Sequence, residues 1–252
     1  MSITVSKLAS LLEERIPADL SESWDHDGIM VLPDGNAEVT GVLCALDCTS
    51  VAIGETKRLQ CNVIVTHHPL LFRPLDRLTA ADSVGKRVLE CVRSGIAVLS
   101  YHTRLDSLPG GVNDCLAERI GLRNSEAFLP FARIGDVDEQ PFEAFASHVS
   151  AALNVPIAQC VKANPSVRRV ALVSGSGKDE IRAVLAAGAD TFVTGEVMHN
   201  HLIDCAEYGL NLICATHFAT ERIVIPALAE LVRETGVRAA EYLFDEQREY
   251  GV

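Results

Sequence analysis

The sequence predicts an α/β protein of two similar halves, 1–124 and 125–252, with largely parallel or mixed sheets and a metal site in the crevice between them. Three observations carry that expectation. Short β-branched runs alternate with amphipathic stretches along most of the chain. The stretches "VGKRVLECVRSG", "DEIRAVLAAG" and "AELVRETG" each close on a glycine suited to a helix C-cap. The chain also resembles itself. Slid by 128 positions, "VLCALDCTS…QCNVIVTHH" (42–68) lies over "VALVSGSGK…GADTFVTGE" (170–196) without a gap. Val42, Val65 and Thr66 then fall on Val170, Val193 and Thr194. Each copy runs on through a helix, a glycine and a strand to a histidine four residues before an acid, in "GIAVLSYHTRLD" and "GLNLICATHFATE". Ligands of open α/β sheets bind outside the carboxyl ends of the strands, so these equivalent ends are where chemistry is expected.

Taken in order, "MSITVSKLASLLEERI" reads as an amphipathic helix whose apolar core is too short for a signal peptide. Strands follow at "GVLCALD", "NVIVTH" and "IAVLSYH" in the first half. In the second half they are "AFLPFARIG", "IAQCVK", "RRVALVSG", "TFVTGE", "NLICATH" and "VRAAEYLF". With 252 residues, 48% of them hydrophobic and 22% charged, the chain can bury a core without a disulfide or metal to hold it. The net charge of −12 disfavours nucleic acid, which needs clustered Lys and Arg. No apolar run approaches the roughly 20 residues that span a bilayer. Eight cysteines without a Cys-x-x-Cys pair, several inside strand-like runs, read as buried reduced thiols and place the protein in the cytoplasm.

Three short clusters stand at predicted strand ends. In "VTHHPLLF", His67 and His68 are adjacent just before Pro69, which removes a donor and ends regular pairing. Both rings can therefore aim at neighbouring points. "HTRLD" carries His102 and Asp106, and "HFATE" carries His217 and Glu221, on one face of each segment if it is helical. For the second of these the local geometry stays open: a helix from His217 would lose a hydrogen bond at Pro226, whereas one starting near Arg222 would accept it. Imidazole with carboxylate suits zinc, iron, manganese, cobalt or nickel. Two such divalent ions against only Asp106 and Glu221 leave a positive surplus that would favour a hydroxide and an anionic ligand.

With these clusters in view the chain resembles the Nif-three-like family, the GTP cyclohydrolase 1 type 2 homologues. "SESWDHDGIMV" is similar to the family's "ESWDNxGLxxG" element, "VTHHPLLF" to "xxHHPxxF", and "YHTRLDSLPGGVND" to "HTNLDxxPGGxND". "VSGSG", "TGE" and "HFATE" follow in the expected order, so the resemblance covers almost the whole chain. It implies a dinuclear metal site and a ring-shaped homohexamer. Carried over, the ligands are His67, His68, Asp106, His217 and Glu221, with His102 in the same shell and Glu221 bridging both ions. The chain departs from the pattern at Arg104, where asparagine is usual, and at Thr216, where glycine is common. Arg104 would add a cation at the rim that contacts substrate.

Weaker signals remain. "SGSGKD" fails the Walker A pattern, because Leu172 and Asp179 stand where a glycine and a Ser or Thr are required, and it reads as a tight turn. Glu196 overlays His68 in the repeat and is a candidate to stand behind the ligands or accept a proton. His199 and His201 are expected on a polar helix start, and Trp24 in the packed interior. The expected function is a metal-dependent hydrolase in which metal-bound hydroxide attacks a small anionic substrate, nucleotide-like or a phosphate ester. A non-catalytic metal scaffold, regulatory or metal-trafficking protein would need the same ligands.

Overall fold

The computed structural model describes residues 3–243. Of the described residues, those up to Leu105 and those from Ile225 onward form one compact unit, and Asp106–Val224 form the other. The sequence division at 124/125 differs from this. The C-terminal segment returns to the first sheet, where it supplies an edge strand.

In chain order the first unit holds α1 (Val5–Arg15), β1 (Gly28–Val31), β2 (Val42–Ala45), α2 (Ser50–Arg58), β3 (Val63–Thr66), α3 (Ser83–Arg93) and β4 (Ala97–Ser100). The short α4 (Thr103–Ser107) carries the chain across the division. Helix α1 starts because the Thr4 side chain accepts the Lys7 N–H, and Val5, Leu8, Ala9 and Leu12 bury one face at helical spacing. Thr49 and Asp82 cap α2 and α3 in the same way. Strands β2, β3 and β4 are parallel and buried at every residue, as expected of strands covered on both faces. Ile64 and Val98 of the sheet pack with Ile53, Val88 and Cys91 of α2 and α3.

The second unit follows with α5 (Val112–Arg119), β5 (Arg123–Leu129), β6 (Ala132–Pro141), α6 (Phe142–Leu153), β7 (Gln159–Val161), β8 (Ser166–Ser176), α7 (Ile181–Ala186), β9 (Thr191–Glu196), α8 (His199–Glu207), β10 (Asn211–Cys214) and α9 (His217–Glu221). Along β8, Val170 and Leu172 pack with Phe145 and Val149 of α6, while Ala171 and Val173 pack with Ile181, Val184 and Cys205 of α7 and α8. That strict alternation follows from the two-residue period of a strand. A 3₁₀ turn (Arg222–Val224) then leads to α10 (Ile225–Arg233) and β11 (Ala239–Glu241) of the first unit.

The sheet orders are β1-β4-β3-β2-β11 and β5-β6-β8-β9-β10-β7. The fold is thus mixed α/β: the sheet centres are parallel, β1, β5 and β7 are antiparallel edge strands, and β11 is a parallel edge. Three expectations are refined. "AFLPFARIG" is not one strand but the turn of a β5–β6 hairpin, because Pro130 and Phe131 break the run. Strand β1 had no signal, since its four residues show no clean alternation. The helix question at "HFATE" resolves into both alternatives: α9 ends at Glu221, and Pro226 sits in the first turn of α10. Residues 1 and 2 of the expected N-terminal helix, and residue 244 of the last expected strand, lie outside the described residues.

Six cysteines are buried free thiols; Cys115 is half-buried and Cys160 exposed on β7. No helix among the described residues is long and apolar enough to cross a membrane.

Candidate metal centre

In the first unit the carboxyl ends of β2, β3 and β4 converge on three imidazoles. Backbone pairing continues beyond β3, with the His67 N–H donating to Ala45 O (3.3 Å) and the His68 N–H to Leu46 O (2.9 Å). Pro69, which has no N–H, follows where pairing stops. The Thr66 hydroxyl donates to His68 O at 2.8 Å and curls the chain there. As a result the two rings do not point to opposite faces; their centroids are 4.9 Å apart at 43°. His102 follows β4 and Tyr101, with its ring 5.3 Å from His67 and 5.8 Å from His68. The ligand atoms of His67, His68 and His102 all lie within 4.8 Å of one another.

Each ring is aimed by its other nitrogen. His67 Nδ1 is 3.2 Å from the Tyr101 carbonyl, His68 Nδ1 is 2.9 Å from Asp47, and His102 Nδ1 is 3.1 Å from both Asp25 oxygens. All three partners only accept, so Nδ1 carries the proton and Nε2 presents its lone pair. That is the tautomer a metal-ligating histidine needs, and an acceptor behind the ring makes it a better base. The Asp25 side chain is fully buried and also accepts the Thr103 N–H (3.0 Å) and hydroxyl (2.7 Å). Burial alone would raise its carboxyl, but the hydrogen bonds from His102 and Thr103 prevail and hold it well below the usual carboxylate range.

Arg104 does not stand at a rim. Its side chain is 3% exposed and donates to Asp27 (2.6 and 2.8 Å), Glu13 (2.6 Å) and Ile16 O (2.9 Å), above the Tyr101 ring. Burial opposes its charge, but Asp27 and Glu13 outweigh that and strengthen the guanidinium's hold on its proton. With these donors committed internally, Arg104 is a structural cation that anchors Asp27, which in turn accepts the His102 N–H at 3.2 Å. Trp24 is likewise not interior; it is 55% exposed, with its ring against His102.

In the second unit the ends of β8, β9 and β10 gather His217, Glu221 and Glu196. Thr216 caps α9 by accepting the Ala219 N–H, and α9 places His217 Nε2 3.1 Å from Glu221 Oε1. His217 Nδ1 is 3.1 Å from Glu196 Oε1. With its Nδ1 proton given to Glu196, Nε2 turns a lone pair toward the Glu221 carboxylate. Two acceptors at that distance call for a cation or a shared proton between them. The "SGSG" turn is built to let this carboxylate in: a Cβ on Gly175 would lie 2.3 Å from Glu221 Oε1, and the Gly175 N–H donates to Thr220 Oγ1 (3.0 Å). Asp106, on α4, lies with Oδ1 3.5 Å from Ser174 Oγ, and its carbonyl accepts from Asn113 (3.3 Å). His199 and His201 open α8, where His201 Nδ1 accepts the Met198 N–H. The donor set in both units, neutral imidazole nitrogens with carboxylate oxygens, fits first-row divalent metals.

Sequence reading identified neither Asp47 as the acceptor behind His68 nor Asp25 as the acceptor behind His102. Both carboxylates lie far from their histidines along the chain. The one available cue was that "LD" in "CALDC" ends a strand parallel to the histidine strand.

Known proteins resemble this chain in sequence and in fold. A family model described as Duf34/NIF3 (NGG1p interacting factor 3) matches residues 3–247. A Clostridium perfringens protein called a GTP cyclohydrolase 1 type 2 homolog is 31% identical over 240 residues, covering 91% of each chain. The crystal structure of a Staphylococcus aureus hypothetical protein superposes with a TM-score of 0.89 at 26% identity, covering 97% of both chains. A Bacillus cereus protein related to NIF3 shares the fold, with a TM-score of 0.91 at 22% identity over 96% of this chain and 97% of that one. A match spanning nearly every residue, together with the strand-end histidines, places this chain in the Duf34/NIF3 family.

Proposed function

We propose that the protein is a metal-dependent hydrolase that holds two divalent ions through His67, His68, His102, Asp106, His217 and Glu221 and acts on a small anionic substrate. The observation that carries this reading is the set of imidazoles whose Nδ1 protons are all committed to acceptors, leaving Nε2 as the donor atom. Zinc, iron, manganese, cobalt and nickel all suit such a set. When bound, a pair of these ions supplies Lewis acidity and activates water. The relatives called GTP cyclohydrolase 1 type 2 homologs support a nucleotide substrate, and a phosphate ester is the other substrate proposed. The ring-shaped homohexamer belongs to the same proposal.

The chain's own residues then have distinct tasks. Asp25, Asp47 and Glu196 orient His102, His68 and His217; Glu196 is 59% exposed and so can also exchange a proton with solvent. Counting these three with Asp106 and Glu221, the carboxylates bring more negative charge than two divalent ions bring positive. The surplus expected from the ligand carboxylates alone is therefore absent. An anionic substrate would be drawn by open coordination positions rather than by net charge.

Elemental analysis of gently purified protein should find about two divalent ions per chain, and His68→Ala and Glu221→Ala should each lower that content. Metal-loaded protein should then turn over at least one of GTP, a phosphodiester or a phosphomonoester, and lose that activity in both variants. Turnover that survives both substitutions would falsify the hydrolase reading. Full metal content without turnover on the panel would favour a scaffold or trafficking role instead.

A further inference from the structure

Three rings meet on the exposed side of His102. The centroid separations are 6.2 Å for Trp24–Phe72, 6.1 Å for Trp24–His102 and 6.0 Å for Phe72–His102. The interplanar angles are 69°, 78° and 83°, so the three planes stand nearly perpendicular, like the walls of a box corner. Trp24 is 55% and Phe72 50% exposed, although the residues beside Trp24 and those just before Phe72 are anchored. Beside Trp24, Asp25 is tied to His102 and Thr103, and the Glu22 N–H donates to Thr103 Oγ1 at 2.9 Å. Before Phe72, Leu70 and Leu71 pack into the apolar core of the first unit. Two large aromatic faces thus stand out toward water beside anchored neighbours, against the gain that burying them would bring.

The geometry points to Trp24 and Phe72 as a recognition corner for a planar heteroaromatic ring of a small ligand, whose polar end reaches toward His102. This rests on the metal reading above. Rings about 6 Å apart and nearly perpendicular offer one stacking face and one edge contact, the arrangement aromatic groups prefer. A single flat ring can take both contacts at once. The carboxylates behind the imidazoles also leave no net positive charge to attract an anion, so ring contact supplies selectivity that charge does not.

The chain has one tryptophan, so its fluorescence reports this corner alone. Zinc-loaded full-length protein is titrated with guanosine 5′-monophosphate and with ribose 5-phosphate, which has the phosphate but no base. The nucleotide should quench emission and bind at least about tenfold tighter than the sugar phosphate. Calorimetry on Trp24→Leu and Phe72→Leu should show that preference reduced roughly 5- to 20-fold, with sugar-phosphate affinity unchanged. Phe72→Tyr, which keeps a ring, should retain it and controls for folding. Equal affinities for the two probes, absence of quenching, or a preference that survives both leucine variants each overturn the corner. So does a Trp24→Leu protein that only sediments as a smaller species, which would make the rings a contact between copies. Metal content measured on the same samples separates the failures. Bound zinc without ring preference sinks the corner alone, whereas protein that holds no divalent metal sinks the metal reading and the corner with it.

Discussion

Across β2 and β3, Val42 faces Val63 and Ala45 faces Thr66; across β8 and β9, Val170 faces Thr191 and Val173 faces Thr194. Every partner is displaced by the same 128 positions. The third strands continue the match, with the Tyr101 N–H donating to Thr66 O and the Ala215 N–H to Thr194 O. Beyond them each unit adds an antiparallel edge, β1 on β4 and β7 on β10. The ladders agree, but their ends do not. His67 and His68 correspond to Gly195 and Glu196, so one copy presents two imidazoles where the other presents backbone and an exposed carboxylate. His102 corresponds to Thr216, which puts His217 one residue later, as the first residue of its helix. The two "histidine four before an acid" segments are therefore not strictly equivalent. The strand interiors are buried and the ladder constrains them, whereas the residues at and just past the strand ends are free to change.

Substitutions at the diverged ends test that comparison. The largest effect is expected for Arg104→Ala. It strands Asp27, 5% exposed, without its cation, and breaking a buried pair costs about 3–5 kcal/mol. Urea unfolding measures this, and a loss below about 1 kcal/mol would show that the pair is not what anchors the His102 loop.

Gly195→Ala comes next. A Cβ there would lie 2.4 Å from Gly175 O and 2.8 Å from His217 Cα, whereas the corresponding position in the first unit accommodates the whole His67 side chain. Overpacking of this kind costs about 1–3 kcal/mol, and the displaced His217 should weaken metal retention on dialysis. An alanine protein as stable and as metal-retentive as wild type would contradict the close approach.

The smallest effect is expected at Thr216, whose φ of 67° is a conformation that favours glycine. Thr216→Gly relieves strain of order 1 kcal/mol or more and loses only a few tenths by replacing the cap. A rise of about 1 kcal/mol in unfolding free energy is the expected readout. Destabilisation would mean that the hydroxyl cap outweighs the backbone strain. The same φ is a physical reason why glycine would suit this position.

The sequence by itself determined the parallel ladders and the strand-end clusters. Both are local: a buried strand shows in four contiguous residues, and "THHP", "HTRLD" and "HFATE" each lie within one turn of chain. It also showed the repeat, because the register that pairs β2 with β3 recurs in β8 and β9. Only the tertiary structure decided what stands behind the ligands. His68 meets Asp47 across 21 residues and His102 meets Asp25 across 77, separations that no periodicity spans. Arg104 read as a rim cation because it departs from the family pattern beside a ligand; Glu13 and Asp27, brought in by α1 and the approach to β1, make its burial tolerable. The return of α10 and β11 to β2 was equally invisible, since pairing with a strand almost 200 residues earlier is set by which sheet edge remains open, and local sequence does not encode that.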